Sequence, residues 1–254
     1  MKVTAFIGSG RKRHSYYASE KFLQNLQALG NVEYELVRLS EYNLGTCKGC
    51  RVCFDKGEGF CPFKDDRDAL IEKIENSDGV IFTSPNYSFQ VSALMKIFLD
   101  RLAFVFHRPR FFGKTFTCIV AQGIGGGGKI VKYLNFIGKG FGFNVVKGCC
   151  IKTLEPMTEE GNKKIEKILA RQSKRFYAQL VKKEYPSPSL WWLMVFRMGR
   201  TSMHKMLNED WRDFTYYREH GWFDSDYFYP VKLNPFKKLA GRFFDKIAVQ
   251  IIRS

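Results

Sequence analysis

Along the first two-thirds of the chain, apolar and polar positions switch repeatedly between strand and helix periods. Val3 to Ile7 is a short apolar run closing on Gly8-Ser9-Gly10, the pattern of a strand buried on both faces. Tyr16 to Leu29 then spaces Tyr16, Ala18, Phe22, Leu23, Leu26 and Leu29 mostly at helical intervals and stops at Gly30-Asn31. Val32 to Leu39 alternates and predicts an edge strand. After a cysteine-rich loop, Asp66 to Asn76 predicts a helix with acidic residues in its first turn. Gly79 to Thr83 predicts a buried strand ending at Ser84-Pro85, and Val91 to Phe104 a helix with Leu94, Ile97, Phe98 and Leu102 on one face. A strand over Thr115 to Val120, a helix ending near Ile137 and a strand over Phe143 to Cys150 continue the series. The long basic amphipathic helix Thr158 to Lys183 closes it.

Five strands and five helices in alternation predict a five-stranded parallel sheet with helices on both faces, a three-layer αβα arrangement. In open sheets of this kind ligands sit beyond the carboxyl ends of the strands. The loops after strands one, three and four are therefore where function is expected. At Tyr185-Pro186-Ser187-Pro188 the alternation stops, and the rest is rich in Trp, Phe, Tyr, Met and Arg. We expect one domain over 1–184 and an aromatic-rich C-terminal extension, an arm or lid, over 185–254.

The first loop, Gly8 to Tyr16, combines small residues with a helix start, whose free N–H groups and positive dipole end suit a phosphate. Ser9 and Ser15 add hydroxyls, and Arg11 or Arg13 adds charge; Ser9, Arg11, His14, Ser15 and Tyr16 are the candidates here. The loop is neither a Walker A sequence nor Gly-x-Gly-x-x-Gly, which counts against a kinase or a Rossmann dehydrogenase. A solvated turn capped by serine is the structural alternative.

The second loop runs Ser84-Pro85-Asn86-Tyr87-Ser88-Phe89-Gln90 into Val91-Ser92-Ala93-Leu94-Met95-Lys96-Ile97-Phe98-Leu99-Asp100-Arg101. This segment resembles the signature of flavodoxin-like NAD(P)H-dependent FMN reductases, with Ser-Pro-x-Tyr followed by Lys-x-Phe-x-Asp-Arg. The resemblance covers about residues 1–184 and implies a flavodoxin-like fold, FMN as cofactor, NAD(P)H as co-substrate and a homodimer. It also implies that Ser84, Pro85, Asn86, Tyr87 and Ser88 line the flavin ring. The residues suit that role: proline stiffens the loop, Asn86 offers hydrogen bonds and Tyr87 an aromatic face. Asp100 and Arg101 read as a structural ion pair or a dimer contact. In the third loop, Gln122 to Gly128, glycines let backbone N–H groups approach a planar ligand. The resemblance places Gln122, Gly123, Gly125 and Gly126 near the pyrimidine end of the flavin. The first loop departs from the family's common Gly-Ser-Pro-Arg form by having Gly10 in place of proline.

Cys47, Cys50, Cys53 and Cys61 crowd one loop. Four thiolates can surround a [4Fe-4S] cluster, and the spacing looks like the compact motif of iron–sulfur flavoproteins, which share this fold. A four-cysteine zinc site is cramped at this spacing. Relatives with Cys-x-Gly-Cys-x-x-Cys and a later cysteine before Lys-Asp-Asp bind FMN without a cluster, so these cysteines also read as loop packing. Cys118, Cys149 and Cys150 fall on predicted strands and read as buried apolar residues.

Length and charge sharpen the picture modestly. A chain of 254 residues suffices for an α/β domain of roughly 180 residues plus an extension. No apolar run reaches the roughly 20 residues of a membrane span, and Met1 leads straight into a strand, so a cytoplasmic protein is expected. The formal charge of +16 favours anionic partners, yet basic residues are scattered rather than blocked, and no nucleic acid is expected. The four histidines show no metal-ligand spacing. No catalytic side chain is expected either, because nicotinamide and flavin carry hydride chemistry themselves. For the extension, packing on the chain or on a partner subunit ranks first, a lid over the acceptor pocket second, and peripheral contact with a membrane third.

The sequence thus points to an FMN-dependent oxidoreductase taking hydride from NAD(P)H and passing electrons to a quinone, nitro compound, metal ion or protein. One alternative is an iron–sulfur flavoprotein exchanging single electrons with a ferredoxin. Another is a non-catalytic module binding a membrane or nucleic acid, supported by charge and aromatics alone.

Overall fold

The computed structural model describes residues 1–253, which form two compact units. The first holds Met1–Cys47 and Phe63–Lys183; the second holds Lys48–Pro62 and the chain from Glu184 onward.

In the first unit the strands are β1 (Lys2–Ile7), β2 (Glu33–Arg38), β3 (Gly79–Pro85), β4 (Thr115–Gln122), β5 (Asn144–Val145) and β6 (Cys149–Lys152). The helices are α1 (His14–Leu29), α2 (Arg67–Glu75), α3 (Ala93–Arg101), α4 (Gly127–Gly140) and α5 (Glu159–Leu180). Every strand pair is parallel, in the order β2-β1-β3-β4-β5, with β6 also beside β4. This is the flavodoxin-like order, with its switch point between β1 and β3.

Strand alternation sorts the core into two faces. Val3, Ala5, Ile81, Ile119 and Ala121 face a cluster containing Phe22, Leu23 and Leu26 of α1 and Leu169, Phe176 and Leu180 of α5. Phe6, Phe82 and Phe116 point the other way. The Phe98 ring of α3 lies 5.3 Å from Phe6 and 5.5 Å from Phe82, and Phe82 meets Phe116 edge-on at 5.0 Å. Such ring pairs add to the area they bury. Every residue of β3 is buried, which is why its sequence shows no polar alternation.

The fifth strand differs from the single run expected over Phe143 to Cys150. Phe116 pairs with Val145 and Ile119 with Cys149, so four steps on one strand match three on the other. The extra residue is a bulge. Gly148 sits in it, and a Cβ there would lie 2.3 Å from the Cys118 sulfur. The backbone groups freed by the break are satisfied: Gln172 Nε2 donates to the Lys147 carbonyl (2.7 Å) and the Gly148 N–H donates to Asn135 Oδ1 (3.2 Å). Of the three strand cysteines expected to be buried, Cys118 on β4 is fully buried, while Cys149 and Cys150 beyond the bulge are half-buried. Burial pushes the Cys149 thiol up to about 12.

The second unit carries helices α6 (Leu190–Met206), α7 (Arg212–Glu219) and α8 (Pro235–Arg253). Arg197 of α6 is nearly buried and bonds Asp226 at 2.8 Å and Asp245 of α8. Arg200 and Thr201 each reach Asp245 at 2.9 Å. Trp222 is buried against Tyr217, at 4.9 Å, and Phe228, at 4.8 Å, and its indole N–H donates to the Phe228 carbonyl. The one-turn helix Val52–Asp55 packs against α7. No described helix is long and apolar enough to cross a membrane.

Candidate functional site

Register brings three strand tips together. Ile7 pairs with Thr83, Ser84 with Val120 and Pro85 with Ala121, so the loops after β1, β3 and β4 leave one edge of the sheet side by side. Between them lies a cavity of about 220 Å³.

One end of the cavity is built by the start of α1. Ser9 Oγ donates to the Arg11 carbonyl at 3.0 Å, and the Arg13 N–H donates to the same oxygen at 3.0 Å, which folds the loop tightly. Arg13 occupies the N-cap position without a capping bond from its side chain, and the first turn of α1 holds no acid. The opening N–H groups of the helix are therefore left to whatever sits in front of them. Ser9, Arg11, Arg13, His14 and Ser15 line this end. Ser15 is buried, and its hydroxyl has no hydrogen bond among the described residues. Gly10 has open space where a Cβ would stand, so the absence of proline there relieves no crowding.

The other end is made by the second and third loops. The Asn86 N–H donates to the Ala121 carbonyl at 2.7 Å, and Asn86 Nδ2 donates to the Gly125 carbonyl at 2.7 Å. Asn86 Oδ1 is buried and has no partner among the described residues. That is a costly state for an acceptor unless a ligand donor meets it. Tyr87 and Gln90 exchange both backbone hydrogen bonds across a turn in which Ser88 (φ 50°) and Phe89 (φ 61°) are left-handed. Two non-glycine residues in that region store strain, held here by the loops around them. Gly126 has φ 86°, and a Cβ on it would lie 2.4 Å from the Phe89 ring; only glycine lets the two loops close together. Pro85, Asn86, Tyr87, Ala121 and Gly123 line the cavity.

Several expected residues support the site without facing it. Ser84 is fully buried, donating to the Pro85 carbonyl (2.9 Å) and accepting from the Ser92 N–H (3.0 Å). Gln122 Oε1 accepts from the Gly127 N–H at 2.7 Å, holding the start of α4. Gly125 takes part through its carbonyl. Tyr16, Ser88 and Gly126 lie outside the cavity lining, Tyr16 beside Tyr17 and under the Lys12 ammonium. Asp100 and Arg101 do not pair with each other: Lys96 takes Asp100, while Arg101 reaches Asp65 at 2.8 Å with both side chains buried.

Thr153 and Glu155 also line the cavity, from a fourth loop after β6. Glu155 Oε1 meets His14 Nε2 at 2.8 Å, and Glu155 Oε2 accepts from the Met157 N–H. The hydrogen bond from His14 holds the Glu155 carboxyl below its ordinary range. The signal for this loop was the apolar Ile151 beyond Cys150, which carries the fifth strand on to Lys152.

Of the four loop cysteines, Cys47 belongs to the first unit and Cys50, Cys53 and Cys61 to the second. Cys47 and Cys50 are exposed, Cys53 is half-buried and Cys61 is buried, and none of them is in a disulfide among the described residues. Among the described residues no group of three or more His, Cys, Asp or Glu side chains stands in a metal-holding arrangement.

The signature of the NADPH-dependent FMN reductase family matches residues 1–152. An iron-sulfur flavoprotein of Archaeoglobus fulgidus is 38% identical over 145 residues, 56% of this chain and 64% of that protein. This chain thus spans a little less than two thirds of that relative's length. An iron-sulfur flavoprotein of Clostridioides difficile is 30% identical over 195 residues, covering 73% of this chain and 82% of that one. Among solved structures, RosB with a bound 8-demethyl-8-formylriboflavin-5'-phosphate superposes with TM-score 0.60 at 11% identity over 92% of each chain, a likeness of fold.

Proposed function

Because this chain belongs to the NADPH-dependent FMN reductase family, we propose that it is an FMN enzyme that takes hydride from NAD(P)H and passes electrons to a separate acceptor. The observation that carries this reading is the convergence of three strand-tip loops on one cavity, cationic at the start of α1 and furnished with an orphan acceptor, Asn86 Oδ1, at the other end. A bound flavin would supply the redox chemistry itself. The chain's part is to hold it. The free N–H groups of α1, the Ser15 hydroxyl and the Arg11 and Arg13 guanidinium groups take the phosphate tail. Pro85, Asn86, Tyr87 and Gly123 take the ring, with Ser84 and Gln122 fixing the loops behind them. Exposed Tyr87, Phe89, Ile124 and Leu154 offer apolar surface to a nicotinamide or an aromatic acceptor such as a quinone. We read the working form as a cytoplasmic homodimer.

The test is anaerobic. Purified protein is expected to carry a two-banded yellow spectrum that bleaches on adding NADPH or NADH and returns with a quinone. Protein that is colourless and takes up no FMN at micromolar concentration overturns the proposal. Asn86→Leu keeps the side chain's size but removes the bond to the Gly125 carbonyl and the orphan acceptor Oδ1, and it is expected to weaken FMN binding about tenfold by fluorescence titration.

The names of the relatives favour a second reading, an electron-transfer protein working with a ferredoxin through a cluster on Cys47, Cys50, Cys53 and Cys61. Among the described residues no metal-holding group supports it. Iron analysis on protein prepared without oxygen separates the two: about four irons per chain would establish the cluster, and none would remove it.

A further inference from the structure

Helix α8 (Pro235–Arg253) carries a surface that the redox reading leaves unused. Its inward side is fully committed. Asp245, the one acid of the helix, is bonded to Arg197, Arg200 and Thr201, Ala248 is buried, and Gly241 lies against the Arg197 guanidinium. The outward side is apolar. Phe236 is 65% exposed, Leu239 67% and Phe243 59%, and they follow one another at intervals of three and four residues, with half-buried Ile247 next in line. At 100° per residue these side chains form one stripe. Along its flank, at intervals of four, stand Lys238, Arg242 and Lys246, all exposed and none paired with an acid among the described residues.

The geometry points to α8 as an interfacial helix that docks on an anionic lipid bilayer, the stripe entering the boundary between headgroups and chains while the three cations meet lipid phosphates. Two observations choose this occupant. The flank is cationic, with its acid turned inward, so a second copy stacked on the same face across a two-fold axis would bring two cationic rows close together. The helix also has the composition of a surface-seeking segment: large apolar side chains on one side, Lys and Arg beside them, and too little overall hydropathy to cross. Each cation near an anionic surface adds to an attraction that fades with salt. This inference stands apart from the flavin site.

The experiment is vesicle co-sedimentation of the full-length protein as purified. Phosphatidylcholine vesicles containing phosphatidylglycerol are expected to take up at least about tenfold more protein than phosphatidylcholine alone, with the difference lost in high salt. Arg242→Glu with Lys246→Glu, and separately Leu239→Asp with Phe243→Asp, are each expected to abolish uptake. All four residues are exposed, so circular dichroism and tryptophan fluorescence should match those of the parent protein. Equal uptake on neutral lipid, no uptake on anionic lipid, or uptake that survives the charge reversal overturns the proposal. So does a particle mass by light scattering that halves in Leu239→Asp with Phe243→Asp, since a second copy would then cover the stripe.

Discussion

The two units are held together by different physics. The first is an apolar sandwich: β3 is wholly buried, phenylalanine rings fill one face of the sheet, and aliphatic side chains with Phe22 and Phe176 fill the other. The second has a polar spine, with Arg197 and Arg200 of α6 gripping Asp245 of α8, and an aromatic cluster around Trp222. An apolar core tolerates shape changes in proportion to the volume lost. A half-buried ionic cluster loses more from one deletion, because Asp245 serves Arg197, Arg200 and Thr201 together. The four tryptophans of the chain, at 191, 192, 211 and 222, all lie in the second unit, whereas the candidate cofactor cavity lies in the first. Fluorescence and flavin absorbance therefore report on the two units separately.

The largest effect is expected from Phe82→Ala, which empties the centre of the phenylalanine face and should cost roughly 3–5 kcal/mol in urea unfolding. A loss below about 1 kcal/mol would mean that this face is not the close-packed core described. Asp245→Asn should cost about 2 kcal/mol, as for lost hydrogen bonds to charged groups, and show first in tryptophan fluorescence. If flavin absorbance melts together with fluorescence at every urea concentration, the contrast between the units is lost.

A pH test sharpens the contrast inside the first unit. Burial alone would raise the Asp65 carboxyl, but the Gly45 N–H, the Arg101 guanidinium and the Arg67 N–H outweigh it and hold it below its ordinary value. A carboxyl depressed in the folded state contributes stability above its unfolded pKa, about 3.9, and loses that contribution as pH falls through the folded value. Asp65→Asn should therefore lower stability at neutral pH, and the gap to the parent protein should close in acid. A gap that stays constant from pH 7 to about pH 2 would show that the ion pair is not its source.

The smallest effect concerns the sign of charge at the cavity. Glu155 brings a carboxylate to the end where Arg11, Arg13 and His14 gather. Glu155→Gln should tighten FMN binding by about two- to fivefold, as expected for an exposed charge. Weaker binding would mean instead that Glu155 helps by orienting His14.

Alternation alone was enough to read the parallel sheet, because strands buried on both faces leave continuous apolar runs and their crossover helices leave a 3.6 period. The loop-by-loop location of the cavity followed from the same reading, since carboxyl ends of parallel strands share one edge. Which side chains face into it did not follow. Ser84, Gln122 and Gly125 are spent on holding the loops, and Thr153 and Glu155 enter from the loop after β6, which ends two residues beyond where its pattern suggested. Nor did the partners of Asp100 and Arg101, because Asp65 comes to Arg101 from 36 residues away.

By itself, then, the order of residues determined the alternating α/β class, the parallel sheet and the edge at which the three loops meet, because those depend on local period and on chain direction. Tertiary structure decided the direction of each side chain, the bulge, the strained Tyr87–Gln90 turn and the outward stripe of α8. Those depend on what each group meets across the core, and contacts between residues distant in sequence leave no periodic mark along the chain.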